Sequence, residues 1–221
     1  MRRHPAPNAR LRRWCAGLAA ALLLGLAGPA PAGAAAGLSE QDLADIARVE
    51  EYLMGIKSLK AEFIQAGPES QLAQGTLYLR RPGRLRFEYA PPSPLLLVGD
   101  GVWLVMHDRE LDQVSRWPIG DTPLGVLVAE KVDLNARARV TQVVRKPGIL
   151  ALTFIDSERP QEGSVTVVFS EPPLTLRQWR VTDAQGQVID VSIRDARVNL
   201  PLDPSLFVAD DSDQKLFNQG K

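Results

Sequence analysis

The sequence predicts an α+β fold: a half-barrel of about ten to eleven antiparallel strands, with two to three helices plugging its concave side. Three observations predict it. Apolar residues recur with a period of two over most of the chain from Lys60 to Arg194, the pattern of strands buried on one face. Short turns rich in Gly, Pro and Asp separate these runs, so consecutive strands pair as a meander. Helical spacing appears in only two stretches, one after Ser39 and one after Thr122. A flat sheet of that size would curl, and a strongly bent one with helices in its concavity accommodates both periods.

The first 36 of the 221 residues read as an export signal, leaving 37–221 as a single domain. Arg2, Arg3, Arg10, Arg12 and Arg13 form a basic start, Trp14 to Ala27 is an apolar run, and Ala34-Ala35-Ala36 ends a small-residue tail. Cleavage is expected after Ala36, with Ala32 as the alternative. The apolar run is shorter than the roughly 20 residues that span a bilayer. Cys15, the only cysteine, leaves with the signal, so the mature protein is expected to be soluble and to carry neither a disulfide nor a lipid. Removing five arginines from a chain with 26 basic and 26 acidic residues leaves 21 against 26, a net charge of about −5. That argues against a nucleic-acid partner, which selects a basic surface and a high pI.

Ser39 and Asp42 stand at capping-box spacing, and Leu43, Ile46, Val49, Leu53 and Ile56 follow at three- and four-residue intervals. Together they predict one amphipathic helix of roughly five turns. Strands are expected at Ala61–Gln65, Gln74–Arg80 and Arg84–Tyr89, the last two joined by Arg81-Pro82-Gly83. Leu85, Phe87 and Tyr89 then share one face while Arg84, Arg86 and Glu88 share the other. Three prolines between Ala90 and Pro94 enforce a loop. Leu95–Val98 and Val102–Met106 flank Asp100-Gly101, a hairpin signal, and Glu110–Arg116 reads as a more polar strand. Thr122-Pro123 opens a short apolar helix through Val132, which either packs into the core or covers an opening as a lid, or does both. Strands follow at Arg139–Val144, Ile149–Ile155, Val165–Ser170, Leu174–Thr182 and Gln187–Arg194, with a last one at Leu200–Val208.

Catalytic chemistry finds little to work with. In the mature chain His107 is the one histidine and cysteine is absent, which removes His-based metal sites, zinc ribbons and thiol nucleophiles. No serine lies in a Gly-x-Ser-x-Gly elbow to join His107 in a triad, and no glycine loop is built for phosphate or dinucleotide. Asp108, Glu110 and Asp112 read as a solvated edge. A hydrolase using two carboxylates placed by the fold stays open, although nothing selects the pair. What remains is apolar. Phe63, Leu77, Leu85, Phe87, Tyr89, Trp103, Phe154, Phe169 and Trp179, with Leu124 and Leu127 of the second helix, are the expected lining of a cavity for a greasy ligand. The sheet offers more inward apolar area than short helices should cover, and burial is worth roughly 25 cal/mol per Å².

The order and spacing of several motifs resemble the LolA-type carriers of outer-membrane lipoproteins. They are Phe63-x-Gln65, Gly75-x-Leu77-x-Leu79, Arg81-Pro82-Gly83-x-Leu85-x-Phe87-x-Tyr89, Pro94, Asp100-Gly101, Asp108, Gln113, Thr122-Pro123-Leu124 and Asp183-x-x-Gly186-Gln187. The resemblance implies an unclosed antiparallel barrel with helices at its mouth, and a monomeric, non-enzymatic protein of the Gram-negative periplasm without cofactor or metal. It implies that acyl chains of lipoproteins are taken from an inner-membrane lipoprotein-releasing ABC transporter and handed to an acceptor lipoprotein at the outer membrane. Arg81 matches the family arginine that latches the lid, and Phe87 an aromatic cavity position. The chain departs from the pattern at His107, where tyrosine is common, and after Phe207, where a proline-containing ending is missing. A lipid or lipoprotein sensor on the same fold is the alternative reading.

Overall fold

The computed structural model describes residues 37–68, 71–122, 125, 128–134 and 138–209, all within the unit Gly37–Lys221. The expected export signal, the tail after 209, and Leu124, Val126 and Leu127 lie outside the described residues.

Helix α1 spans Glu40–Gly55 and starts as its sequence requires. The Ser39 hydroxyl accepts from the Asp42 N–H at 3.2 Å while the Asp42 carboxylate accepts from the Ser39 N–H at 2.8 Å, satisfying two first-turn donors. Its buried stripe is Asp45, Ile46, Val49 and Leu53. Leu43, expected on that stripe, is 50% exposed, and Ile56 is buried just beyond the helix in extended backbone.

Eleven strands follow: β1 Ser58–Ala66, β2 Leu72–Arg80, β3 Arg84–Tyr89, β4 Leu95–Asp100, β5 Trp103–Asp108, β6 Gln113–Pro118, β7 Ala138–Lys146, β8 Ile149–Asp156, β9 Gly163–Ser170, β10 Thr175–Asp183 and β11 Val188–Val198. All described pairings are antiparallel and form one unclosed sheet in the order β6-β5-β4-β3-β2-β1-β11-β10-β9-β8-β7. Alternation sets its two faces. In β1, Leu59, Ala61 and Phe63 are buried while Lys60, Glu62 and Ile64 are exposed. Register shifts at Lys60/Glu62, Val140/Gln142 and Leu176/Gln178 insert bulges that add twist and bend.

The topology positions the site. Strands β6 and β7 are consecutive in sequence yet occupy opposite edges of the sheet, so residues 119–137 must run from one edge to the other. The described part of this segment lies on the apolar side: Ile119, Val128, Val132 and Leu134 are buried in the same cluster as Ile46, Val49 and Leu53 of α1. Of the expected second helix, Gly125 and Val128 are helical. The Glu50 carboxylate on α1 accepts from the Leu134 N–H at 2.7 Å, so helix and crossing segment are joined by more than apolar contact.

Two expected strands differ. The one placed at Glu110–Arg116 begins at Gln113, because Asp108 accepts from the N–H groups of Glu110 and Leu111 and Asp112 takes a positive φ, making a turn of those residues. No strand forms at Leu200–Val208: Pro201 and Pro204 cannot donate to a ladder, and Pro204–Phe207 is a 3-10 turn lying on β3 and β4. Phe207 is buried there, as are Leu96, Val98 and Val105 on the outward face of β4 and β5.

Candidate functional site

Strand alternation decides which residues reach the apolar side. Phe63 on β1, Leu77 on β2, Leu85 and Phe87 on β3, Phe154 on β8, Phe169 on β9 and Trp179 on β10 are buried in one cluster, with Tyr89 at its margin. The rings meet edge to face: Phe63 lies 5.1 Å from Phe87 and 5.0 Å from Tyr89, and Phe87 lies 6.2 Å from Trp179. Ring quadrupoles favour that arrangement. Gly75 makes room for it, since a Cβ there would sit 2.9 Å from the Phe63 ring and collide with the Glu88 carbonyl. Tyr89 donates to the Gln65 side-chain oxygen at 2.8 Å, and burial pushes its phenol up to about 12.

Trp103 is a correction to the expected lining. It shares a strand face with Val105, whereas Leu104, in the core cluster, points inward. Trp103 is 38% exposed on the outer surface, with the Arg116 guanidinium 5.4 Å from its ring centre. Leu124 and Leu127 lie outside the described residues.

Between the end of α1 and the sheet lies a void of about 30 Å³, bounded by Leu53, Ile56, Leu77, Leu85, Val128 and Trp179 among others. This equals one water's share of liquid volume.

Arg81, in the β2–β3 turn, joins the two fillers. Its Nε donates to the Ile56 carbonyl at the end of α1 at 2.9 Å, and its Nη1 donates to the Ala129 carbonyl in the crossing segment at 2.6 Å. The backbone reinforces both: Arg81 N–H donates to Lys57 O at 2.9 Å and Gly83 N–H to Val128 O at 2.8 Å. Gly83 has φ +68°, and a Cβ on it would lie 2.8 Å from Gly101 Cα, so the β2–β3 and β4–β5 turns touch. Burial lowers the guanidinium to about 10.

A second tie holds the start of α1. Arg145 of β7 bonds the carboxylates of Asp42 at 2.8 Å and Asp45 at 2.5 Å, and Arg48 bonds Asp45 at 2.6 Å and Glu171 at 2.7 Å. Asp45 is buried. Its place beside Ile46 on the apolar stripe was the one sign of this clasp in the sequence, because a buried carboxylate needs a cation. Across the sheet's opening, Arg159 lies 3.7 Å from Asp121 at the start of the crossing segment and 3.4 Å from Asp156 of β8. The lining of a cleft of about 300 Å³ includes all three, together with Ala138, Phe154 and Val165 of the apolar cluster.

Asp108 and Asp112 build the β5–β6 turn, and His107 Nε2 lies 3.7 Å from Asp112. Among the described residues no group of three or more metal-ligating side chains converges, and no helix is long and apolar enough to cross a membrane.

An unclosed antiparallel sheet, with a segment tied across its apolar face, defines a scaffold whose chemistry is an enclosed oily surface. Residues 54–210 match the family described as outer membrane lipoprotein carrier protein LolA, and the chain belongs to that family. It is 27% identical over 197 residues to an outer-membrane lipoprotein carrier protein of Chromobacterium violaceum, covering 86% of this chain and 89% of that one. It is 26% identical over 121 residues to the uncharacterized protein RP864 of Rickettsia prowazekii, spanning 55% of this chain and 57% of that relative's length. Among solved structures it is similar to a LolA superfamily protein of Nitrosomonas europaea, with 10% identity, a TM-score of 0.41, and coverage of 74% of this chain and 97% of that one. The family is one of carriers, not enzymes.

Proposed function

We propose that this protein is a periplasmic carrier that shields the acyl chains of lipoproteins, made with residues 1–36 as a removable export signal. It takes its cargo from an inner-membrane lipoprotein-releasing ABC transporter and delivers it to an acceptor at the outer membrane. The observation that carries the reading is Arg81, whose side chain ties α1 and the crossing segment over an aromatic interior. In this reading the arrangement in which Arg81 ties both segments is the closed form. Cargo enters when the Ala129 bond is released and Val128, Val132 and Leu134 lift from Phe87, Phe154, Phe169 and Trp179.

Magnitudes allow this exchange. Each buried methylene is worth about 0.8 kcal/mol, so a dozen contribute on the order of 10 kcal/mol. Two hydrogen bonds from a charged group are worth about 3–6 kcal/mol together. Acyl chains can therefore displace the latch, while an empty interior favours closure.

The test is saturable uptake of an environment-sensitive hydrophobic dye and its displacement by a triacylated lipopeptide. Wild type should take up dye weakly and Arg81→Leu several-fold more readily, with the lipopeptide competing against both. Absence of saturable uptake by either protein would reject the carrier reading.

A further inference from the structure

The outer face of the sheet carries charge that nothing described on it neutralises. Arg80 of β2 and Arg84 of β3 are direct cross-strand partners, and Lys60 of β1 is the direct partner of Arg197 on β11. Like charges in such positions repel and destabilise a sheet. Neither Arg80 nor Arg84 makes an ion pair or side-chain hydrogen bond among the described residues, and Lys60 leans on the Tyr78 ring at 5.4 Å. Asp100 faces Arg84 across β3–β4, but it lies beyond ion-pair reach and its carboxylate oxygen accepts from the N–H groups of Val102 and Trp103, both at 2.8 Å. These cations gather on one face of a mature chain whose net charge is about −5.

An apolar tip stands beside them. The β2–β3 and β4–β5 turns touch at Gly83 and Gly101, which sets Val102, 64% exposed, and Trp103 at the same end of the sheet as Arg80 and Arg84. We propose that this face docks on a membrane surface, with Lys60, Arg80, Arg84 and Arg197 on anionic phospholipid headgroups and Val102 and Trp103 at the interface. Charge complementarity selects an anionic partner. The spread of cations over four strands, around a two-residue tip in place of a pocket, fits a laterally extended lipid surface better than a shaped acidic protein. Amphipathic tryptophan and basic residues are the side chains that settle at headgroup depth. The inference builds on the proposed carrier role, because a carrier of acylated cargo must collect it at a membrane. Docking here would also press on the turn that holds Arg81.

The experiment is co-sedimentation of the purified protein with sucrose-loaded vesicles of phosphatidylcholine alone or with one third phosphatidylglycerol. Binding should rise several-fold with phosphatidylglycerol and fall towards the phosphatidylcholine level at high salt. Arg80→Glu/Arg84→Glu should weaken it by about tenfold or more, since each basic group near an anionic surface contributes about a fivefold factor. Arg80→Lys/Arg84→Lys should retain it, and Trp103→Ala should weaken it several-fold. Unchanged far-UV circular dichroism and dye uptake would show that the charge-reversed variant is folded. Equal binding to both vesicles, no vesicle binding even at low salt, or indifference to charge reversal would overturn the proposal; the second result would leave an acidic protein as the occupant. Vesicle binding without dye uptake would instead sink the carrier role and leave this surface standing.

Discussion

Arg81 is half-buried without a carboxylate partner, and that limits how firmly it can hold. Burial lowers its guanidinium to about 10, a cost on the order of 3 kcal/mol, less after solvent screening of its exposed part. That cost nearly offsets its two side-chain bonds, so the latch is close to balance. The fold disfavours the charged form, and arginine stays protonated across the usable pH range, so this penalty is present throughout it. Arg81→Leu should therefore shift global stability by no more than about 1 kcal/mol in urea titrations, while changing dye uptake markedly; a large stability loss would make Arg81 a structural residue. Tyr89, by contrast, responds to pH. Its pKa is raised from 10.0 to about 12 by burial, so its contribution is complete below pH 10 and is lost as the pH rises through about 12. Tyr89→Phe should cost about 1 kcal/mol at neutral pH through the lost Gln65 bond and flatten the decline above pH 10. Urea midpoints across that range check both halves. The sequence motif singled out Arg81, but its partners are backbone carbonyls, which leave no mark in a sequence. Trp103 was misassigned because an aromatic at the start of a strand gives no parity of its own; only the buried Leu104 beside it reveals which way the strand faces.

Helix α1 is held at both ends by different means, and the clasp at its start is the stronger one. Arg145 meets the buried Asp45 and the more exposed Asp42, while Arg48 is half exposed. Arg145→Met would leave the buried Asp45 carboxylate with Arg48 alone and should lower the urea midpoint, though by less than orphaning that charge wholly would. Adding Asp45→Asn should recover part of the loss, and failure to recover any would mean that Arg145 acts through packing. The Asp42 carboxyl is held below 3.8, first by its bonds to Ser39 and then by Arg145. Its contribution is present above pH 3.8 and disappears as the pH falls through the lowered value. Acid should accordingly loosen the start of α1, read from urea midpoints below pH 4 against the Asp42→Asn variant. At this scale most of the sheet was legible, since period-two alternation with Gly and Pro punctuation located the strands to within a few residues. The misses were places where local side chains override the pattern: Asp108 pulling 109–112 into a turn, and prolines holding 200–208 off the ladder.

At the scale of the whole molecule, the fold is two meanders sharing a centre. β1 pairs with β11, 130 residues apart at Phe63 and Ile193, so the middle of the sheet depends on the most distant strand pairing in the described chain while its edges are locally built. Nothing local in the sequence announces the β1–β11 pairing; it follows once the segment between β6 and β7 must travel from edge to edge. This arrangement makes the sheet and its cover separable. The sheet is held by ten antiparallel ladders, whereas Val128 to Leu134 is held by apolar contacts and by bonds to Arg81, Gly83 and Glu50. Local opening should thus need less free energy than unfolding, as expected of lids in general. Hydrogen exchange reads the difference directly. Amides of β1 and β11 should exchange at the rate set by global unfolding, and those of Val128, Ala129 and Leu134 faster. Arg81→Leu should speed the latter by up to about fivefold, the equivalent of the roughly 1 kcal/mol by which the latch favours the closed form, and β1 and β11 by no more than that factor, since both openings start from the latched state. If cover and sheet instead exchange together in both proteins, residues 119–137 are part of the rigid core, and the interior opens only when the whole domain unfolds.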